Sequence, residues 1–221
     1  MNTKTFQKVG GFSSISLGLI NILAFVVYGG ILDYPSIEAS ETERLGFLSD
    51  NFLMLSSISF ISYVLFGILL AVLVLAIHQH IKNGFPNISL VTSAFGIIWV
   101  GLVIASGMIA NIGLNSVLEI GIDNPEKAMT IWTSVGIVSE GLGGGNEIVG
   151  GIWVLLLSTI TLKGSLFSKS LNFLGLLVGI AGVLTVLPFD VFKEIFGISQ
   201  IIWFISIGMV LIRKPLQVTA R

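Results

Sequence analysis

Six apolar runs, at about 9–31, 52–77, 89–111, 142–162, 171–188 and 195–212, limit what this chain can fold into. Each is close to the ~20 residues a helix needs to cross ~30 Å of hydrocarbon. With no water to bond to, the backbone of such a run must satisfy its own N–H and C=O groups, which a helix does and an open strand does not. Charged residues make up only 10% of the chain and hydrophobic residues 54%, whereas soluble domains carry roughly a quarter charged residues. The chain reads as all-α: a polytopic membrane protein in which residues 1–221 form one bundle of six transmembrane helices, with the lipid bilayer as its first partner.

The first run follows Lys4 and Lys8, as a signal peptide would, but it is longer than an h-region and no A-x-A pattern follows it, so it reads as a retained span. The longest connections are 32–50, which holds Pro35, and 113–127, which holds Asn124-Pro125. Neither is large enough for a second domain.

The charges sort by loop. Alternate assignment with the N-terminus inside puts Lys4, Lys8, Lys82, Lys163, Lys169, Arg213, Lys214 and Arg221 on the inner side, with no acid among them. Asp33, Glu38, Glu41, Glu43, Asp50, Glu119, Asp123, Glu126, Asp190 and Glu194 fall on the outer side, beside only Arg44, Lys127 and Lys193. A lysine and arginine bias of this kind predicts both termini in the cytoplasm, the arrangement of a multi-pass inner-membrane protein. The outer acids form a solvated face that would also concentrate cations at an outward opening.

Inventory removes several functions. With no cysteine, disulfide exchange, thiolate nucleophiles and thiolate metal sites are excluded. His78 and His80 are two residues apart and do not share a helix face, and no inner segment adds a carboxylate to them, so no metal site is expected. No lysine lies inside a run to form a Schiff base. No cofactor, nucleic-acid partner or catalytic residue is implied.

What remains is the stretch Ser139–Gly151, with two glutamates and six glycines in thirteen residues. On a continuous helix Glu140, Gly143, Gly144, Glu147, Gly150 and Gly151 would share one face. A continuous helix from Ala128 to Leu162 would be about 52 Å long, too long for one span. Either 128–139 is a surface or re-entrant piece, or the glycine run breaks the helix. Glu147 lies about 15 residues, roughly 22 Å of rise, from Lys163, which puts it in the outer third of the membrane. An intramembrane carboxylate without a basic partner is costly and marks a functional site by default.

By depth its companions are Gln200, Asn111 and Asn146, with Tyr28 near the same boundary and Asn21 deeper in the first run as helix glue or part of a polar track. Tyr28, Trp132 and Trp203 read as interfacial aromatic anchors. The expected ligand- or cation-binding set is Glu147, Glu140, Asn146, Gln200 and Asn111, with Gly143, Gly144, Gly150 and Gly151 supplying space for a small ligand or cation, and with proton-coupled transport as one use. A non-catalytic protein in which Glu147 only clasps two helices is the alternative. An intramembrane enzyme is weaker, since no nucleophile accompanies the carboxylate.

Asn146-Glu147-Ile148-Val149-Gly150-Gly151-Ile152-Trp153-Val154-Leu155-Leu156, followed by Leu171-Asn172-Phe173-Leu174-Gly175-Leu176 and Gly179-Ile180-Ala181-Gly182, resembles a family of bacterial integral membrane proteins termed domain of unknown function 4386. There a Gly-x-Trp run ends in a basic inner loop and leads into a Leu-Gly-rich span. The resemblance covers 140–212 and reaches the first half only through its span pattern. It implies a six-helix bacterial inner-membrane protein and brings no catalytic residue.

The charge pattern predicts that a cysteine placed at Ser40 is labelled by an impermeant maleimide from outside intact cells and that one at Ser168 is not. Labelling at Ser168 with Ser40 silent would invert the topology.

Overall fold

A computed structural model describes residues 2–36, 38–144 and 147–213, and among these every regular element is helical. The chain begins with α1 (Thr3–Val26), which Asn2 caps by accepting from the Thr5 N–H. Next come α2 (Glu41–Asp50), α3 (Phe52–Ser59), α4 (Phe66–Ile81) and α5 (Pro86–Gly121). The second half holds α6 (Pro125–Ser139), α7 (Ile148–Lys163), α8 (Lys169–Leu184) and α9 (Asp190–Arg213). Local chemistry sets several starts. Proline leads α5 and α6, where its missing N–H costs nothing, and Ser168 caps α8. Ser40 and Glu43 form a reciprocal capping box on α2. The Ser40 backbone N–H and hydroxyl, both bonded to the exposed Glu43 carboxyl, hold its pKa below the ordinary value.

Among the described residues, five segments are long and apolar enough to cross a membrane: Thr3–Ile31, Phe52–Ile81, Pro86–Gly121, Pro125–Lys163, which α6 and α7 share across an interruption, and Asp190–Arg213. Lys169–Leu184 is apolar but has only 16 residues, a rise of about 24 Å. The six runs of the sequence thus appear as five long segments and one short helix. α5 continues well past residue 111, to Gly121. At 36 residues it is about 54 Å long.

The helices close into a ring in the order α1, α4, α5, α7, α8, α9 and back to α1, each packed on the next. α6 lies outside the ring against α5 and α2, burying Leu48, Leu114, Val117 and Ala128 in a separate small core. Large apolar side chains such as Phe12, Leu19, Phe25, Ile98, Phe173 and Ile202 point outward and are more than 40% exposed, the surface that contact with lipid requires. The ring's centre is aromatic. Phe66, Trp99, Trp153, Trp203 and Phe204 come from four helices and pack at centroid distances of 5.3 to 6.5 Å, and such pairs contribute about 0.5–1.5 kcal/mol each beyond the area they bury. Trp203 is 1% exposed, so it is a core residue and not an interfacial anchor.

Glycine lets the ring close tightly. A Cβ on Gly151 would lie 2.6 Å from the Val183 nitrogen and 2.7 Å from the Gly179 oxygen, and one on Gly208 would lie 2.6 Å from the Gly11 oxygen. These are backbone-to-backbone contacts, the small-residue packing of membrane helices.

Gly151→Leu should therefore separate α7 from α8 and destabilise the bundle by at least the roughly 1–3 kcal/mol of an overpacked core. At Gly101 a Cβ would meet nothing within 4 Å, and Gly101→Ala should stabilise by up to about 1 kcal/mol through helix propensity. Thermal unfolding in one detergent reads both signs.

Candidate functional site

Glu147 does not sit inside a helix. The α6 helix runs into a π-helical turn, Glu140–Gly144, in which Gly143 has φ +124. That left-handed conformation is one that side chains other than glycine rarely adopt. α7 then starts afresh with Glu147 as its N-cap residue, and the Glu147 carbonyl accepts from the Gly151 N–H at 2.7 Å. The shared Glu/Gly face expected of a continuous helix is therefore absent, because the backbone breaks between its members.

Two hydrogen bonds tie the break to the ring. The Trp99 indole N–H donates to Glu147 Oε2 at 2.9 Å, joining the carboxyl to the aromatic centre. The Glu147 backbone N–H donates to Thr185 Oγ1 at 2.8 Å, and that hydroxyl donates to the Gly182 carbonyl at 2.7 Å. Among the described residues Glu147 is in no salt bridge.

The carboxyl borders a cavity of about 170 Å³. Its polar wall is Glu147, Asn21, Ser62 and Gln200, and its aromatic wall is Tyr28, Tyr63, Phe66 and Trp99. Three of the polar groups carry a buried atom without a hydrogen-bond partner: Asn21 Nδ2, Ser62 Oγ and Gln200 Oε1. Gln200 is 9% exposed. A buried unpaired amide or hydroxyl costs about 1–3 kcal/mol.

A second cavity, of about 640 Å³, lies toward α2, α3 and α6. It shares Tyr28 and Tyr63 with the first. The rest of its wall is mainly apolar and aromatic, including Tyr34, Phe47, Leu55, Leu114, Met129 and Trp132. Arg44 is the one charged side chain on it among the described residues. Burial pushes the Tyr34 phenol above its ordinary pKa.

The expected residues divide. Glu147, Gln200 and Gly143 line the smaller cavity, and so do Asn21 and Tyr28. Asn111 lines the larger one. Glu140 is exposed and faces the α8–α9 connection beside Thr185 and Lys193. Gly150 and Gly151 supply no cavity space: a Cβ on Gly150 would lie 2.5 Å from the Trp99 ring, and Gly151 is pressed against α8. Gly144 ends the π-helical turn, and Asn146 lies outside the described residues.

Trp99, Ser62, Tyr63 and Thr185 escape a reading by charge and depth, because an indole, a phenol and hydroxyls in apolar runs look like core. Ser62 and Tyr63 belong to a π-helical segment, Phe60–Leu65, in mid-helix. Tyr28 belongs to another, Val27–Ile31, and Gly143 to the third. All three π-helical segments thus deliver residues to this cavity, as π-bulges often do at functional sites. At the other end of the ring, Ser89 Oγ and Ser93 Oγ lie 2.8 and 2.9 Å from His78 Nδ1, a local network between α4 and α5.

No protein-family model, curated protein or solved structure matches the chain.

Trp99→Phe keeps a ring in the aromatic centre but removes the donor to Glu147. It should cost about 1–3 kcal/mol of stability, and clearly less in a Glu147→Met background, where no acceptor remains. Equal costs in the two backgrounds, in a double-mutant cycle on purified protein, would show that the bond carries no energy.

Proposed function

We propose that this chain is a six-helix bacterial inner-membrane protein with both termini in the cytoplasm, which admits a small ligand or cation from the outer side to a site at Glu147. One observation carries the reading: among the described residues, a carboxyl in no salt bridge borders the same cavity as two buried oxygens without partners, Ser62 Oγ and Gln200 Oε1, either of which can accept from a cation. A charge in a low-dielectric interior persists only if something offsets it. Here a bound cation is that offset, and a proton replaces it when the cation leaves. The titratable groups on the cavity besides Glu147 are Tyr28 and Tyr63, and no basic side chain lines it among the described residues. Exchange of one cation for one proton at a single carboxyl is the elementary step of proton-coupled transport. The charge distribution supports the orientation.

In this orientation the end of the bundle that holds Asp33, Glu41, Glu119 and Asp123 faces outward. The larger cavity adjoins the smaller one, and Tyr28 and Tyr63 line both. The acids raise the local concentration of cations before they enter.

The Trp99–Glu147 bond favours a second reading, in which the carboxyl only clasps α5 to the start of α7. That bond engages Oε2 alone and leaves Asn21, Ser62 and Gln200 unexplained.

Glu147→Gln keeps the size of the side chain and an acceptor for Trp99. Under the proposal the variant folds with near-native thermal stability and loses at least about tenfold in affinity for whichever of a panel of inorganic and organic monovalent cations binds the wild type, measured by calorimetry in lipid nanodiscs. If no member of the panel binds in a Glu147-dependent way, the clasp reading stands in its place.

A further inference from the structure

The ligand class follows from the pairing of the two cavities, and the inference rests on the reading of Glu147 as a cation site. A bare metal ion binds best to several oxygen ligands at short range. The wall around Glu147 carries oxygens on Glu147, Asn21, Ser62, Gln200 and the two tyrosines, but four of its side chains also present aromatic rings. At about 170 Å³ the cavity is several times the roughly 30 Å³ that one water occupies in the liquid, so a dehydrated alkali ion would touch only part of its wall. A soft, bulky cation fits better, since rings within about 6 Å attract such a charge through their π-faces and the attraction grows on desolvation.

The larger cavity adds the other half of the ligand. Its 640 Å³ falls in the range of pockets that take drug-sized molecules, and its wall is suited to an apolar or aromatic body. Tyr28 and Tyr63 line both cavities, so the two adjoin, and a molecule that reaches past these side chains would set a charged head beside Glu147 and its body among Phe47, Leu114 and Trp132. The mainly apolar wall of the larger cavity disfavours a second charge there.

We infer that the site takes a hydrophobic organic monocation, its ammonium head in the Glu147 cavity and its apolar body in the cavity lined by Phe47, Leu114 and Trp132. An amine head would donate to Glu147, Gln200 Oε1 and Ser62 Oγ. A quaternary head would rely on the carboxylate and the rings.

The test is calorimetric titration of the full chain in nanodiscs with five probes: sodium, tetramethylammonium, phenylbutyl-trimethylammonium, its uncharged tert-butyl isostere, and a bis-quaternary analogue with a trimethylammonium group at each end. The expected order places phenylbutyl-trimethylammonium at least about tenfold tighter than each of the others. Its advantage over tetramethylammonium should shrink in Ala110→Trp, which fills the larger cavity, while tetramethylammonium itself is little affected. Since the comparison among probes is made on the wild-type protein, it holds even if that variant does not fold. Sodium or tetramethylammonium binding as tightly as the phenylbutyl cation, with all of it lost in Glu147→Gln, would overturn the ligand class and leave the cation site intact. Tight binding of the tert-butyl isostere would overturn the role of charge. Binding of every probe unchanged in Glu147→Gln would overturn the inference and the reading beneath it together.

Discussion

A carboxyl group set into an aromatic ring of helices is the constraint around which the second half of this fold is arranged. Glu147 reaches the centre because the helix that would carry it is interrupted, and the interruption is held on both sides. Trp99 takes the carboxyl and Thr185 takes the backbone N–H. The Thr185 bond replaces the one that the Glu147 N–H would have made within a continuous helix, which is the condition for non-helical backbone inside an apolar bundle. Gly150 lets the Trp99 ring lie against α7, and Gly151 lets α8 approach until Thr185 is in reach. The glycines beside Glu147 thus position the site by closeness of packing.

The first half answers with departures of its own. A regular α-helix repeats its faces every 3.6 residues, so a side chain that breaks the repeat needs an extra residue in the turn. The π-helical segments at Val27–Ile31 and Phe60–Leu65 provide this and aim Tyr28, Ser62 and Tyr63 at the cavity that Glu147 borders. Those two tyrosines belong to both cavities. One pair of side chains therefore sets the separation between a small polar chamber and a larger apolar one.

Packing and polarity are divided along the ring. Where helices meet through glycine, as α1 meets α9 and α7 meets α8, polar side chains make short bonds to backbone, such as Ser14 to the Phe204 carbonyl at 2.6 Å. Around Glu147 the same kinds of residue stay unpaired. An amide or hydroxyl in an apolar bundle gains by finding any acceptor within reach. Among the described residues, Asn21, Ser62 and Gln200, all on one cavity, each keep a buried atom without a hydrogen-bond partner.

Composition and the lengths of the apolar runs were enough for the sequence to determine a helical membrane protein, since both follow from the free energy of placing side chains and backbone in hydrocarbon. Glu147 was legible for the same reason, as a carboxyl far from any charge of opposite sign, and its depth singled out Gln200. Tertiary structure decided the rest. The break between α6 and α7, the tryptophan that binds the carboxyl and the sharing of Tyr28 and Tyr63 between cavities depend on contacts between residues far apart in the chain. Asn111 and Gln200 stand at similar expected depths, yet they line different cavities, because depth is one coordinate and the turn of each helix about its own axis is another. That second coordinate is set by how glycines and tryptophans from neighbouring helices fit together, an outcome of packing that hydropathy along one helix does not encode.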